Sequence, residues 1–485
     1  MPAKRAASSW KFPGASPLRA NLIPSPHMRW GFVLEQESCI GCHACTVGCK
    51  AENDVALGSF RTWVKWIEKG EFPDTERHAA ILRCNHCEDA PCIEICPTIA
   101  LHKRDDGIVD LDADRCIGCA SCMQACPYDA IHIDPRVGTA AKCHFCAHRL
   151  EVGLAPACVS VCPEEAIKVV DLDAPGIREE IGARGARVRK PERQTRPQVF
   201  YTGADPSTLD PFSVDGTRTL SHSEVPNPMP APGVREARAV YDTPKPRPWG
   251  NHIAAYMVTK ALASGALLAA SVAPFGTDMS PVLLGWISIA FTVLTILLLI
   301  GDLHQPQRFF YLLTMPNTKS WLVRGGWVLT AHGAISLAYG LGIGLSVLWV
   351  IAIPTALMTS IYTAFLFRQA RGRELWCEDA WLPLILGVQA AAAASAIAWF
   401  WGEGIWGEGS GAFLFLYAGI TVASMLSDQR TQGAQQAHHA MIEHPAFKLG
   451  LLCAVLAIVF PPLVVVAFAL IDWIYVKAGQ EVALS

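Results

Sequence analysis

Residues 116–127 read Cys116-Ile-Gly-Cys119-Ala-Ser-Cys122-Met-Gln-Ala-Cys126-Pro127, four cysteines in twelve positions with proline behind the last. In this spacing three thiolates face one iron–sulfur cubane and the fourth reaches across to a neighbouring one. Working outward, the same spacing occurs at Cys39, Cys42, Cys45 and Cys49. Two looser groups complete the set: Cys84, Cys87, Cys92, Cys96, and Cys143, Cys146, Cys158, Cys162. Sixteen of the 18 cysteines therefore lie in the first third of the 485 residues. Four per cubane predicts four [4Fe-4S] clusters with these sixteen cysteines as iron ligands.

Zinc uses C-x2-C pairs but has no need of a third cysteine three residues on or a fourth tied to proline. Disulfides need an oxidising compartment, and no export signal is visible. Cys377 and Cys453 stand apart and read as buried free thiols. Ferredoxin-like domains exchange ligands between paired motifs, so the outer groups are expected to pair with each other, and the inner two likewise. Cys39, Cys42, Cys45 and Cys162 then hold one cluster, and Cys49, Cys143, Cys146 and Cys158 its neighbour. Cys84, Cys87, Cys92 and Cys126 hold a third, and Cys96, Cys116, Cys119 and Cys122 the last.

The runs CIGCHACTVGCKAEN, CNHCEDAPCIEICP, DGIVDLDADRCIGCASCMQACPY and KCHFC with PACVSVCP resemble the four-cluster electron-transfer subunit of the DMSO reductase family of molybdenum enzymes, over about residues 30 to 170. Some relatives have lost a cysteine in the third group; this chain keeps Cys119. The resemblance implies a separate catalytic chain carrying a molybdenum or tungsten bis-pterin cofactor, since no pterin-binding domain is visible here.

Composition directs the rest of the chain to a bilayer. It is 51% hydrophobic with mean hydropathy +0.27, and its net charge of −3 carries no nucleic-acid signal. Residues 1–28 are expected to be a mobile leader that docks on a partner, because Lys4 and Arg5 are followed by Ser, Trp and Pro where a signal peptide runs apolar. Domain 29–170 carries the clusters. Residues 171–250 hold twelve prolines and are expected as an extended tether. Beyond 251, apolar stretches near 252–273, 282–301, 323–340, 346–367, 380–401, 411–427 and 446–476 approach or exceed the roughly 20 residues that cross a bilayer. The fold class is thus an α+β ferredoxin-like domain followed by an all-α polytopic membrane domain of seven or eight helices. Pro461 and Pro462 either kink the last stretch or divide it in two, and an eighth span would return the C-terminus to the cluster side.

Ten bases flank the spans on the cluster side: Lys245, Arg247, Arg308, Lys319, Arg324, Arg368, Arg371, Arg373, Arg430 and Lys448. Against Lys477 alone on the other side, they point that side to the cytoplasm of a bacterial inner membrane. The competing reading has them bind the cluster domain or quinone head groups.

PWGNHIAAYMVTKALASGALL, GDLHQPQRFFYLLTMPNTKSWLVRGGW and WIYVKAGQ resemble the polysulfide reductase-type membrane subunit, which carries quinone sites without haem; that family usually has a basic residue where Gln305 stands. His252, Tyr256, Lys260, Asp302, Arg308 and His332 are the candidate quinone-site residues, because a quinone needs a donor at each carbonyl and a titratable group to pass the proton. His332 reads equally as an interhelical histidine, Lys260 as a snorkelling side chain and Tyr256 as an interfacial belt residue. Asp472 reads as a proton-path group or a packing contact. No haem is expected, since His438, His439 and His444 fall in a loop.

The expected function is an electron-transfer and anchor subunit linking a catalytic partner to ubiquinone or menaquinone. A cytoplasm-facing wire suits a sulfite or formate dehydrogenase. Polysulfide, thiosulfate and DMSO reductases would run the electrons the other way, and a nickel–iron hydrogenase could use the same module. A zinc-bearing scaffold would lack iron–sulfur absorption.

Overall fold

The structure, a computed structural model, describes residues 28–71, 73–215, 237–275, 278–344, 346–401, 405–482 and 484. The leader expected at residues 1–28 lies outside these except for Met28, as does 216–236 of the expected tether.

In chain order the strands are β1 (Trp30–Glu35), β2 (Thr62–Glu71), β3 (Asp74–Arg83), β4 (Leu101–Lys103), β5 (Val109–Leu111), β6 (Ile131–Ile133), β7 (Ala140–Lys142), β8 (Ile167–Asp171), β9 (Val199–Thr202), β10 (Val214–Asp215) and β11 (Ala237–Tyr241). β1 lies between antiparallel β8 and parallel β9. Its unbroken apolar run Trp30-Gly-Phe-Val-Leu34 is buried throughout, as a strand covered on both faces requires. A second sheet has the order β10-β11-β2-β3, while β4–β5 and β6–β7 are small hairpins. Residues 171–250, expected as a tether, thus contribute β9, β10 and β11 to the cluster domain's sheets; Val199 and Tyr201 supply buried apolar faces.

Short helices sit between these strands: α1 (Ala44–Glu52), α2 (Pro91–Ile95), α3 (Ser121–Ala125), α4 (Ala147–Leu150), α5 (Ala157–Ser160), α6 (Ile177–Ala183) and α7 (Pro206–Leu209). Each of the first five carries or directly follows ligand cysteines. Left-handed residues such as His43, Ala120 and Cys146 turn the chain into α1, α3 and α4, and all but α1 of these five are a single turn, too short to persist without packing.

The second half is all-helical: α8 (Asn251–Val272), α9 (Pro281–Gly301), α10 (Tyr311–Thr314), α11 (Trp321–Gly340), α12 (Trp349–Gln369), α13 (Glu374–Glu378), α14 (Leu382–Ala398), α15 (Ile405–Met425), α16 (Gln432–Glu443), α17 (Pro445–Leu456) and α18 (Leu463–Ala478). Among the described residues, three helices are long and apolar enough to cross a bilayer: α8 with its 3-10 extension to Phe275, α9 and α12. Helices α14 and α17 are shorter apolar ones. Pro461 and Pro462 separate α17 from α18 rather than kinking one helix, since a proline pair removes two backbone donors from a continuing ladder. His438 and His439, expected in a loop, lie on α16, whose Ala434, Ala437 and Met441 form a buried stripe at helical spacing.

α8 is the centre of this half, 83% of its apolar window being buried, whereas α9 has only 28% buried and turns Leu283, Trp286, Val293, Leu294 and Leu297 outward. Small residues allow the close approach. A Cβ on Gly285 would stand 2.9 Å from the Ser336 carbonyl oxygen and 2.5 Å from the Gly340 nitrogen of α11. Gly285→Val is expected to force α9 from α11 at a cost of about 1–3 kcal/mol. A lowered thermal midpoint with unchanged cluster absorption would check this.

Both halves meet along one face. Asn317 Nδ2 donates to the Cys96 carbonyl (2.8 Å), Ser320 Oγ to that of Ile95 (2.8 Å), and the Gly372 amide to that of Gln124 (3.0 Å). The far C-terminus returns to the same face: Gln480 accepts from Gln124 Nε2 (2.7 Å) and donates to the Trp249 carbonyl (2.7 Å), and the Leu484 carbonyl accepts from Arg189 (3.3 Å). Lys477, one turn earlier on α18, therefore lies towards the cluster side, not opposite it as the seven-span count has it.

Candidate functional site: a line of thiols ending at an apolar cavity

The sixteen cysteines fall into four neighbourhoods of sulfurs close enough to interact electrostatically. Cys39 faces Cys162 and Cys42, and Cys45 faces Cys39 and Cys162. Cys49 faces Cys158 and Cys146, and Cys143 faces Cys49 and Cys158. Cys92 faces Cys126, Cys84 and Cys87. Cys122 faces Cys119, Cys116 and Cys96. Links between groups run in one order, Cys45 to Cys158, Cys143 to Cys84, and Cys122 to Cys92. The four groups therefore form a line.

Burial pushes five of these thiols up, Cys45 and Cys126 to about 11 and Cys49, Cys87 and Cys119 to about 12, so a bound cation is what would make these five thiolates. Donors already point at sulfur: the Gly41 amide at Cys39 (3.4 Å), the Ala140 amide at Cys116 (3.4 Å) and Asn53 Nδ2 at Cys49 (3.6 Å). Arg83, wholly buried, has Cys158, Cys143 and Cys45 as electrostatic partners; burial opposes its charge, and the sulfurs more than restore it. Among the described residues no three His, Cys, Asp or Glu side chains close around a single ion. A tetrahedral zinc would draw four sulfurs to roughly 4 Å of one another. A cubane binds one thiolate per iron and holds them farther apart. The residues fit iron–sulfur clusters.

The two ends of the line differ. Cys42 is the one exposed cysteine, beside Ile40 and Val47, both more than half exposed. At the other end Cys119 lines a cavity of about 240 Å³ between α8, α9, α11 and the loop after α9. Its walls are mostly apolar, among them Leu322, Leu329 and Trp327, and its polar lining includes Tyr256, Asp302, Ser121, Thr330 and Tyr362.

The loop after α9 closes this end on the cluster domain. Gly118, in the left-handed region at φ +69°, packs against the His304 backbone, which a side chain at 118 would displace. His304 Nδ1 lies 2.9 Å from the Gly118 carbonyl, the Gln305 amide donates to the Ile117 carbonyl (3.2 Å) and the Gln305 side chain to that of Val137.

Of the six candidate quinone-site residues, Tyr256 and Asp302 line the cavity, and His252 Nδ1 lies 3.7 Å from Asp302 at the exposed rim. The other three are engaged elsewhere. Lys260 donates to the Ser360 carbonyl (2.9 Å) and to Thr363 Oγ1. His332 lies between Ser288 Oγ (3.1 Å) and Thr359 Oγ1 (3.2 Å), the interhelical alternative. Arg308 donates to the carbonyls of Ala113 (2.6 Å) and Cys116 (3.0 Å). Asp472 accepts from Gln389 (2.9 Å), and Cys377 is half-buried whereas Cys453 is buried. Trp249 escaped the sequence reading: it lines the cavity and its Nε1 donates to the Cys119 carbonyl (3.3 Å). Its place just before an apolar stretch, after Pro246 and Pro248, was the available signal.

Among families, the 4Fe-4S dicluster domain matches residues 79–172. The chain is similar to a tetrathionate reductase subunit of Salmonella typhimurium, 43% identical over 194 residues, 39% of this chain and 78% of the relative. It is 36% identical over 179 residues to a polysulfide reductase subunit of Wolinella succinogenes, covering 36% of this chain and 93% of the relative. With the arsenate respiratory reductase iron–sulfur subunit of a Shewanella species it shares 34% over 224 residues, 36% of this chain and 96% of that subunit.

Proposed function

Because this chain belongs to the family of iron–sulfur electron-transfer subunits of molybdoenzyme reductases, we propose that it wires a molybdenum or tungsten bis-pterin catalytic chain to membrane quinone through four [4Fe-4S] clusters. The observation that carries this reading is the line of thiols itself, open at Cys42 and ending at the cavity beside Cys119. Each sulfur neighbourhood holds one cluster, and the clusters supply one-electron transfer between two-electron reactions at either end.

This chain's residues do the rest. Leu322, Leu329 and Trp327 take the quinone's apolar body and exclude water. The Tyr256 hydroxyl is a donor to one carbonyl. Asp302 holds or releases the proton that accompanies each electron, and His252 at the rim relays it to water.

The helical half crosses the bilayer eight times, with α8, α9, α11, α12, α14, α15, α17 and α18 as the crossings. This reading is supported by the hydrogen bonds that tie Trp249 and Gln480 to one face. That face is cytoplasmic. Lys245 lies over the Trp63 ring, and Arg308, Arg371 and Arg373 are committed to the cluster domain, which removes four of the ten bases from the orientation argument. Six remain, and the opposite loops contain no Lys or Arg in the sequence. A cytoplasmic wire fits a dehydrogenase such as one for sulfite or formate, passing electrons to quinone. The reductase names of the relatives favour the reverse direction.

Iron analysis of anaerobically purified complex, with identification of the co-purifying chain, tests the proposal: about sixteen irons per chain and a bis-pterin partner are expected. One iron or fewer per chain would end it. Replacing Val47 by Asp beside Cys42 is expected to weaken capture of the catalytic partner about tenfold or more, since docking would bury an unpaired carboxylate. Co-purification yield against unchanged iron content measures this.

A further inference from the structure

Arg83 closes β3 one residue before Cys84, and its side chain is wholly buried. Its Nη1 donates to Cys158 Sγ (3.4 Å), its Nη2 to Thr62 Oγ1 (3.3 Å), and its plane lies 4.3 Å over the Phe32 ring. Its Nε has no acceptor, a buried donor that a sulfur-rich group would satisfy. No carboxylate pairs with Arg83 among the described residues, although other cations on the same sheet, such as Lys65 and Arg238, have carboxylate partners. A buried guanidinium without counter-charge is costly, and neutral thiols offer little relief. Thiolates would supply the missing charge. The three cysteines it faces come from two neighbourhoods: Cys45 from the exposed first one, Cys143 and Cys158 from the second.

Resting on the four-cluster reading above, we propose that Arg83 raises the reduction potential of the cluster held by Cys49, Cys143, Cys146 and Cys158, making it the electron well just behind the exposed end. Reduction adds one negative charge to a site already ringed by thiolates. A fixed cation in contact with one of those sulfurs stabilises the reduced form more than the oxidised one, and so does its N–H to sulfur bond. The guanidinium keeps its proton throughout the working range, so the step takes one electron and no proton from Arg83. An electron arriving at the exposed first cluster is thereby drawn one step inward, away from water and oxygen.

Arg83→Gln and Arg83→Lys are each compared with wild type in the complete complex by anaerobic redox titration, each cluster followed by its EPR signal. In Arg83→Gln the reduced-to-oxidised ratio of one cluster at a fixed potential is expected to fall at least tenfold, about 59 mV for a one-electron couple. The two clusters nearer the membrane should stay within twofold. Arg83→Lys keeps the charge and loses the sulfur contact, so the same cluster should move the same way by about threefold. Either variant loaded with four clusters, all at wild-type potentials, overturns the inference, and the lysine variant decides if the glutamine variant fails to load. Wild-type complex with far fewer than about sixteen irons per chain would instead remove the four-cluster reading on which it rests.

Discussion

Replacing Cys119 by Ser is expected to reduce quinone-coupled turnover at least 100-fold while the three clusters farther from the membrane stay recognisable by EPR. Cys119 is the cluster cysteine that borders the cavity, and Trp249, on the same wall, donates to its carbonyl. Losing this thiolate is expected to disrupt the cluster beside the cavity and leave the sulfurs of the other neighbourhoods in place, the link towards them running from Cys122 to Cys92. Reduction of the remaining clusters by the catalytic partner should persist, because the line is intact from Cys42 inward. Quinone reduction and partner-driven cluster bleaching, measured separately, check both halves. An unchanged EPR spectrum would remove Cys119 from the ligand set.

Asp302→Asn is expected to slow quinone turnover by about 10²–10⁴-fold, the range of a single general acid–base residue, with the clusters still reduced at the wild-type rate. Asp302 caps α9 at the cavity wall and is within reach of His252, so it joins the apolar chamber to the aqueous rim. The amide preserves size and hydrogen bonding but cannot exchange a proton. His252→Ala should cost less, since His252 is 60% exposed and water can stand in for its imidazole. Equal losses in the two variants would mean that water cannot stand in for His252 and that the two residues act as one relay.

The cysteine motifs were legible because their meaning lies in short spacing. Three cysteines at intervals of three residues can converge only on one point, whatever surrounds them. The apolar stretches were legible for a similar reason, since length and composition are local properties that can be set against the thickness of a bilayer. The fate of the intramembrane polar residues was not. His332 and Lys260 look in sequence like Tyr256, each a polar group in an apolar run. What separates them is the neighbouring helix: Ser288 and Thr359 engage His332, Ser360 and Thr363 engage Lys260, and the cavity beside Tyr256 is left open. The strands β9 and β11 were hidden by the prolines around them, since composition reports chain stiffness and not the sheet edge a strand will find.

From the sequence alone come the four cysteine groups and their spacing, the order of an iron–sulfur domain before a hydrophobic one, and a set of polar suspects. Covalent spacing and transfer free energy act over a few residues and need no fold. The order of the four sulfur neighbourhoods, the placing of Arg83 between two of them, the contact of Cys119 with a cavity and the return of Gln480 to Gln124, 356 residues away, belong to the tertiary structure. Such contacts depend on how helices and sheets pack against one another, and no local periodicity encodes which distant side chain will face which.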